Sequence, residues 1–133
     1  MPGMTAELPQ TNETGQTVLV VDDMSDNLIL ISLSLQDFGY RVVTATNGAD
    51  ALNVAKLARP DLILMDIAMP QQDGLAATRR IREESELQDV PVVALTAFDA
   101  GFNGYLTKPI DFDRLRNLIA KLLARDKGNT SRL

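Results

Sequence analysis

Apolar residues along this chain come in short runs that end abruptly in polar groups, separated by stretches in which they recur every three or four positions. Residues 18–21 (VLVV) are such a run and stop at Asp22 and Asp23, the pattern of a buried parallel strand. Ser25 or Asp26 can cap a following helix whose apolar positions Leu28, Ile31, Leu35 and Phe38 share one stripe, and Gly39 ends it. The unit then repeats. Residues 41–45 (RVVTA) predict a second strand, and Asn47-Gly48 a turn opening a helix through Ala51, Val54, Ala55 and Ala58 that Arg59-Pro60 stops. Residues 61–66 (DLILMD) predict a third strand, again ending in an acid. A loop over 70–74 leads to a helix from Leu75 to about Glu84, then a fourth strand over 91–96. A short fifth strand over 104–107 precedes Lys108-Pro109, and Asp111 caps a last helix with Leu115, Leu118, Ile119, Leu122 and Leu123 inward. Residues 1–16 and 127–133 lack periodicity and read as a disordered N-terminal tail and a C-terminal tail around one domain over 17–126.

Strands alternating with helices mean βαβ units, and therefore a parallel sheet covered on both faces. Ligands of such sheets bind at the carboxyl ends of the strands. The residues there are Asp22 and Asp23 after the first strand, Asp66 at the third, Thr96 at the fourth and Lys108 after the fifth.

Composition narrows what those groups can do. The chain has no Cys and no His, so disulfides, thiolate and imidazole catalysis and the corresponding metal ligands are all excluded. A net charge of −5 without a basic stripe argues against direct nucleic-acid binding. No apolar run approaches the roughly 20 residues that span a bilayer, and the first residues lack a signal-peptide pattern. A cytoplasmic location without membrane contact is the default expectation.

Three carboxylates in one pocket repel each other, and a hard divalent cation with oxygen ligands relieves that conflict; Mg²⁺ is the natural choice. The Lys108 ammonium can pair with a carboxylate or a phosphoryl oxygen, and the Thr96 hydroxyl can donate and accept. Together they suit phosphoryl transfer onto a carboxylate, which needs no base to be nucleophilic. Each residue also has a plainer reading. An Asp pair after a strand often caps a helix, Asp66 could begin a loop, Thr96 could bond backbone, and Lys108 could be a solvated charge. The conjunction on four strand ends favours the site.

With those residues in view, the chain resembles the bacterial two-component response-regulator receiver family and is similar to its chemotaxis regulators. The matching segments are VLVVDDMSDN (18–27), DLILMDIAMPQQDG (61–74), PVVALTA (91–97) and GYLTKPI (104–110). The resemblance implies an α/β, flavodoxin-like fold: a doubly wound, five-stranded parallel sheet of order 2-1-3-4-5 with helices on both faces. It implies Asp66 as phosphoacceptor, Asp23 as a direct Mg²⁺ ligand, Asp22 acting mainly through metal-bound water, and the Ala68 carbonyl completing the protein ligands. Thr96 would hydrogen-bond the phosphoryl group, Lys108 would pair with it, and the Lys108–Pro109 peptide would be cis. Tyr105 occupies the aromatic switch position coupled to Thr96, although on a short edge strand it could equally just pack. The implied donor is a sensor histidine kinase or a histidine phosphotransfer protein. The chain would be no conventional enzyme, but would catalyse its own phosphorylation and dephosphorylation at Asp66.

One segment departs from the family pattern. Thr96 and Lys108 are 12 positions apart (108 − 96), whereas the family usually has roughly ten residues more, enough for a helix of about 15 Å. Seven residues, 97–103, reach at most about 25 Å extended, against about 17 Å for a five-residue strand. Coiled as a helix they would cover only about 10 Å, and parallel crossovers normally take about a dozen residues. A stretched loop in place of the fourth helix is therefore expected. Apolar surface left by that helix could support a homodimer, and the Thr96–Tyr105 readout would be altered. A trimmed chain would leave the same signature.

Two other chemistries fit less well. An aspartyl-nucleophile phosphatase resembles Asp-x-Asp after its first strand, whereas Asp66 is followed by Ile67-Ala68. A flavodoxin-like nucleotide binder needs a neutral phosphate loop where Asp22-Asp23 stands. The alternative that stays open is a receiver-like interaction module not regulated by phosphorylation. Residues 127–133 leave no room for a second domain after the last helix; a complete chain would act through contact with a downstream protein target, whereas an excised receiver would have its output domain elsewhere.

Overall fold

Five near-continuous apolar runs form one parallel sheet with buried residues on both faces. The computed structural model describes residues 15–70, 73–95, 104–106 and 110–131, with residues 104, 105 and 125–131 described by their backbone alone. The strands are β1 (Thr17–Val21), β2 (Arg41–Ala45), β3 (Leu62–Asp66), β4 (Val92–Leu95) and β5 (Gly104–Leu106). Their order is β2-β1-β3-β4-β5, the order the family resemblance implies. Every pairing is parallel.

Alternation along the strands divides the core in two. Val18, Val20, Leu62, Leu64, Val93 and Leu95 point to one face, where they meet Leu28, Ile31 and Leu35 of α1 (Ser25–Asp37) and Leu115, Ile119, Leu122 and Leu123 of α4 (Phe112–Ser131). Leu19, Val21, Ile63, Met65, Val92 and Ala94 point to the other, against Ala51 and Ala55 of α2 (Gly48–Ala58) and Ala77 and Ile81 of α3 (Asp73–Glu83). Small alanines on α2 and α3 let those helices approach the sheet closely. Each fully buried Leu or Ile contributes about 2 kcal/mol of transfer free energy, and such residues lie both on the central strands and on the helices that cover them.

Local signals explain where the helices end. Gly39 (φ 100°) follows α1 in the left-handed region; its N–H donates to the Gln36 carbonyl while the Tyr40 N–H reaches back to Leu35 (both 3.0 Å). This paired closure, with Tyr40 and Leu35 both in the core, stops the helix and aims the chain into β2. Asn47 caps α2 by accepting the Asp50 N–H (2.9 Å), and Arg59 leaves it with φ 49° just before Pro60. Asp111 caps α4 by accepting the N–H groups of Asp113 and Arg114.

Several expectations are revised. Neither Ser25 nor Asp26 caps α1: the cap position is Met24, without a side-chain cap bond. The Met24 N–H is taken by Asp22 Oδ1 (2.9 Å), so an acid of the site forms the turn that leads into the helix. Helix α3 begins at Asp73 rather than Leu75, and a 3-10 turn, Ser85–Leu87, follows it unannounced by any periodicity. Helix α4 runs to Ser131, through residues that sequence composition assigns to a tail; one glycine, Gly128, costs a helix only about 1 kcal/mol and does not compel a stop. The N-terminal segment before residue 15 and the predicted loop over 97–103, with the absent fourth helix and the dimer surface that depend on it, lie outside the described residues. Strands β4 and β5 on either side of that loop do pair in parallel, Val93 opposite Gly104 and Leu95 opposite Leu106.

Candidate functional site

The register of β1 and β3 assembles the site. Val21 pairs with Met65, so the next residues, Asp22 and Asp66, emerge side by side at the carboxyl edge. This is also where the sheet order reverses: from β1 the chain crosses to β2 on one side, and β3 lies on the other. Such a switch point leaves an open crevice, because neighbouring crossovers depart in opposite directions.

Asp22, Asp23 and Asp66 each present a carboxylate oxygen there, and these oxygens lie within 4.8 Å of one another. Asp22 is fully buried and Asp66 is 2 % exposed, while Asp23 faces solvent. Two buried acids beside a third invite a counter-charge, since carboxylates in a poorly hydrated pocket repel strongly.

Each buried acid is held in place by its surroundings. Asp22 Oδ1 accepts the Met24 N–H, Asp22 Oδ2 accepts from the Asn27 amide (3.3 Å), and the Asp22 N–H continues the sheet ladder to the Ala45 carbonyl (3.2 Å). Asp66 Oδ1 accepts the Ala68 N–H at 2.8 Å, folding the strand end into a turn. Ile67 and Met69, flanking the exposed Ala68, are buried and peg that turn to the α2–α3 side of the core.

The donor set is all oxygen, with one carboxylate open to solvent. That fits a hard dication such as Mg²⁺, which keeps several waters and takes few carboxylates, and does not fit a softer metal. Of the predicted residues, the structure thus brings together Asp22, Asp23, Asp66 and the Ala68 backbone. Leu95, opposite Asp66 in the β3–β4 register, puts the end of β4 at the same edge, but Thr96 and Lys108, with the Lys108–Pro109 peptide, lie outside the described residues. Tyr105 stands opposite Ala94 in β5; its side chain is outside them too.

Three contributors escaped the sequence reading. Asn27 steadies Asp22, Gly74 packs against the end of β3, and Asp73 accepts the Gly48 N–H at the start of α2. All three stand inside the segments 18–27 and 61–74 that carry the family resemblance, which is the one signal that could have singled them out.

Comparison with known proteins agrees with this geometry. The family model "Response regulator receiver domain" matches residues 18–120. The polar-differentiation response regulator DivK of Brucella anthropi is 35 % identical over 118 residues, covering 81 % of this chain and 96 % of DivK. The signal transduction histidine-protein kinase BarA of Escherichia coli K12 is 40 % identical over 126 residues, 86 % of this chain but 14 % of that kinase. Among solved structures, the receiver domain of the sensor histidine kinase PA1611 from Pseudomonas aeruginosa superposes with a TM-score of 0.76 at 35 % identity, covering 82 % of this chain and 98 % of that one. That structure holds a magnesium ion in its active-site cleft. The chain therefore belongs to the response regulator receiver domain family, the phosphoacceptor modules of two-component signal transduction.

Proposed function

We propose that Asp66 is the phosphoacceptor of this receiver and that Asp22 and Asp23 hold Mg²⁺ beside it. The observation that carries the reading is the convergence of the three carboxylates within 4.8 Å at the switch point of the sheet. An Asp66 oxygen attacks the phosphorus of a phosphohistidine; the new O–P bond forms as the donor's N–P bond breaks and the imidazole nitrogen leaves with the electron pair. The Ala68 N–H holds Asp66 Oδ1 in a fixed direction during the approach. When bound by Asp22, Asp23, Asp66 and the Ala68 carbonyl, Mg²⁺ would neutralise charge on the transferred oxygens. Thr96 and Lys108 serve the same oxygens, and the short segment between Thr96 and Tyr105 alters the readout through that pair. Hydrolysis of the acyl phosphate at the same centre resets the domain.

The donor is a histidine kinase or histidine phosphotransfer protein, and helix α1 offers it a landing surface. Ile29, Leu30 and Leu33 are 58 %, 56 % and 60 % exposed, and Met24 is 55 % exposed just ahead of them, next to the acid pocket. Exposed apolar side chains in one stripe, at the mouth of a site, suit a protein donor better than a small molecule.

The test is phosphorylation with acetyl phosphate and Mg²⁺, read by intact mass. The parent chain gains one phosphoryl group and Asp66→Asn gains none. A parent that stays unlabelled under these conditions would instead indicate an interaction module independent of phosphorylation.

A further inference from the structure

Helix α3 starts hard against the backbone of the acceptor residue. Gly74 is its second residue. A Cβ placed on Gly74 would press on the Asp66 carbonyl oxygen, and would lie 2.8 Å from Ile67 Cα and 3.1 Å from the Asp66 carbonyl carbon. These are backbone atoms inside a buried strand end, so none can rotate aside. Only a glycine lets the helix approach this closely.

The residue before it fastens the same helix end on its other side. Asp73 Oδ2 accepts the Gly48 N–H, an otherwise unpaired donor in the first turn of α2. Gly48 is tight in turn: a Cβ there would lie 2.5 Å from Asp73 Oδ1 and 3.0 Å from the Asp73 carbonyl oxygen. Within α3 the Thr78 hydroxyl donates to the Gly74 carbonyl (2.8 Å). The start of α3 is thus clamped between the end of β3 and the start of α2, and the turn carrying Ala68 is fixed between Asp66 and that clamp.

We infer that Gly74 and Asp73 are positioning residues for phosphoryl transfer: they brace the Asp66–Ala68 turn, and so hold the acceptor carboxylate against the Ala68 N–H. The inference rests on the reading of Asp66 as phosphoacceptor. Neither residue touches the phosphoryl group. Their effect is on the direction of the carboxylate, where misplacement by about 1 Å can cost about a hundredfold in rate.

The experiment uses the full chain and three variants: Gly74→Ala, Asp73→Ala and Asp73→Asn. Two readouts are taken, the rate of labelling by acetyl phosphate with Mg²⁺, and the protection of the Ala68 N–H from hydrogen exchange in the absence of metal, which its bond to Asp66 Oδ1 confers. Gly74→Ala should retain cooperative unfolding, label about tenfold to a hundredfold more slowly, and lose the Ala68 protection. Asp73→Ala should slow labelling in the same sense. Asp73→Asn, which keeps a carbonyl acceptor for the Gly48 N–H, should restore both readouts towards the parent.

A folded Gly74→Ala with the parent's labelling rate and Ala68 exchange protection overturns the inference. If Gly74→Ala fails to fold, Asp73→Ala behaving like Asp73→Asn in both readouts overturns it instead. A parent that takes no phosphoryl group, with the Ala68 protection still lost in Gly74→Ala, removes the phosphoacceptor reading, and the role in transfer with it, while leaving the brace itself.

Discussion

Replacing Asp66 by Asn should stabilise the metal-free protein even though it abolishes phosphorylation. In the folded chain the oxygens of buried Asp22 and Asp66 lie within 4.8 Å. Two full charges at that separation repel by about 3 kcal/mol at an effective dielectric of about 20. Asp23 adds to this, but it faces water and its share is screened. The unfolded chain carries almost none of the repulsion. Asn keeps an Oδ1 that can accept the Ala68 N–H, which Asp66 takes at 2.8 Å, so the turn survives. Its new NH₂ group needs partners in a buried place, which offsets about 1 kcal/mol. Both acids have further partners, so the net gain is at most about 2 kcal/mol, or about 8 °C in Tm for a domain of this size.

Mg²⁺ should reverse the order of benefit. It stabilises the parent by about 1.4 kcal/mol at ten times its dissociation constant, and stabilises the variant much less because one ligand charge is gone. Circular dichroism melts in EDTA and in Mg²⁺ measure both effects. If Asp66→Asn melts at or below the parent in EDTA, or if Mg²⁺ raises both melting temperatures equally, the three acids do not form the repelling, cation-relieved cluster described here.

Ile29→Lys with Leu33→Lys should slow transfer from a phosphohistidine protein by about tenfold or more, while labelling by acetyl phosphate is unchanged; equal rates from the protein donor would show that it docks elsewhere. Arg82 donates through Nη1 to the carbonyls of Leu87 (3.4 Å), Gln88 (3.0 Å) and Val90 (2.7 Å) and so fastens the chain entering β4. Arg82→Met keeps the apolar stem but loses these bonds, and urea unfolding should show a loss of about 1–3 kcal/mol. Burial pushes the Tyr40 phenol above its ordinary range, so the folded state holds that proton more tightly than the unfolded one. Its contribution is fully present below about pH 10 and is lost as pH rises through the folded value. Tyr40→Phe should therefore lose less stability than the parent between about pH 9 and about pH 11, and parallel curves in alkaline melts would contradict this.

Much of this protein is determined by local pattern alone. Runs such as LILMD and VLVV cannot be half-exposed strands, because every residue is apolar up to the terminal acid; burial on both faces follows, and with it a parallel sheet under two layers of helices. The helix stripe Leu28–Ile31–Leu35, the Asn47 and Asp111 caps and the Gly39 stop act over four or five residues, so they are legible without the fold. The acids of the site are legible for a related reason. Strand ends converge in any doubly wound sheet, so Asp22, Asp23 and Asp66 could be gathered by their place in the pattern.

What the pattern could not supply is every contact between elements distant in the chain. That Asp22 rather than Ser25 or Asp26 organises the start of α1 depends on the acid being drawn inward beside Asp66. That Gly74 is required against the Asp66 carbonyl, and Asp73 against the Gly48 N–H 25 residues away, depends on how α2 and α3 pack over the sheet. Glycine and aspartate at a helix start look the same in sequence whether they merely end a loop or brace a reactive carboxylate. Only tertiary packing separates the two, because the atoms that make glycine obligatory belong to another segment of the chain.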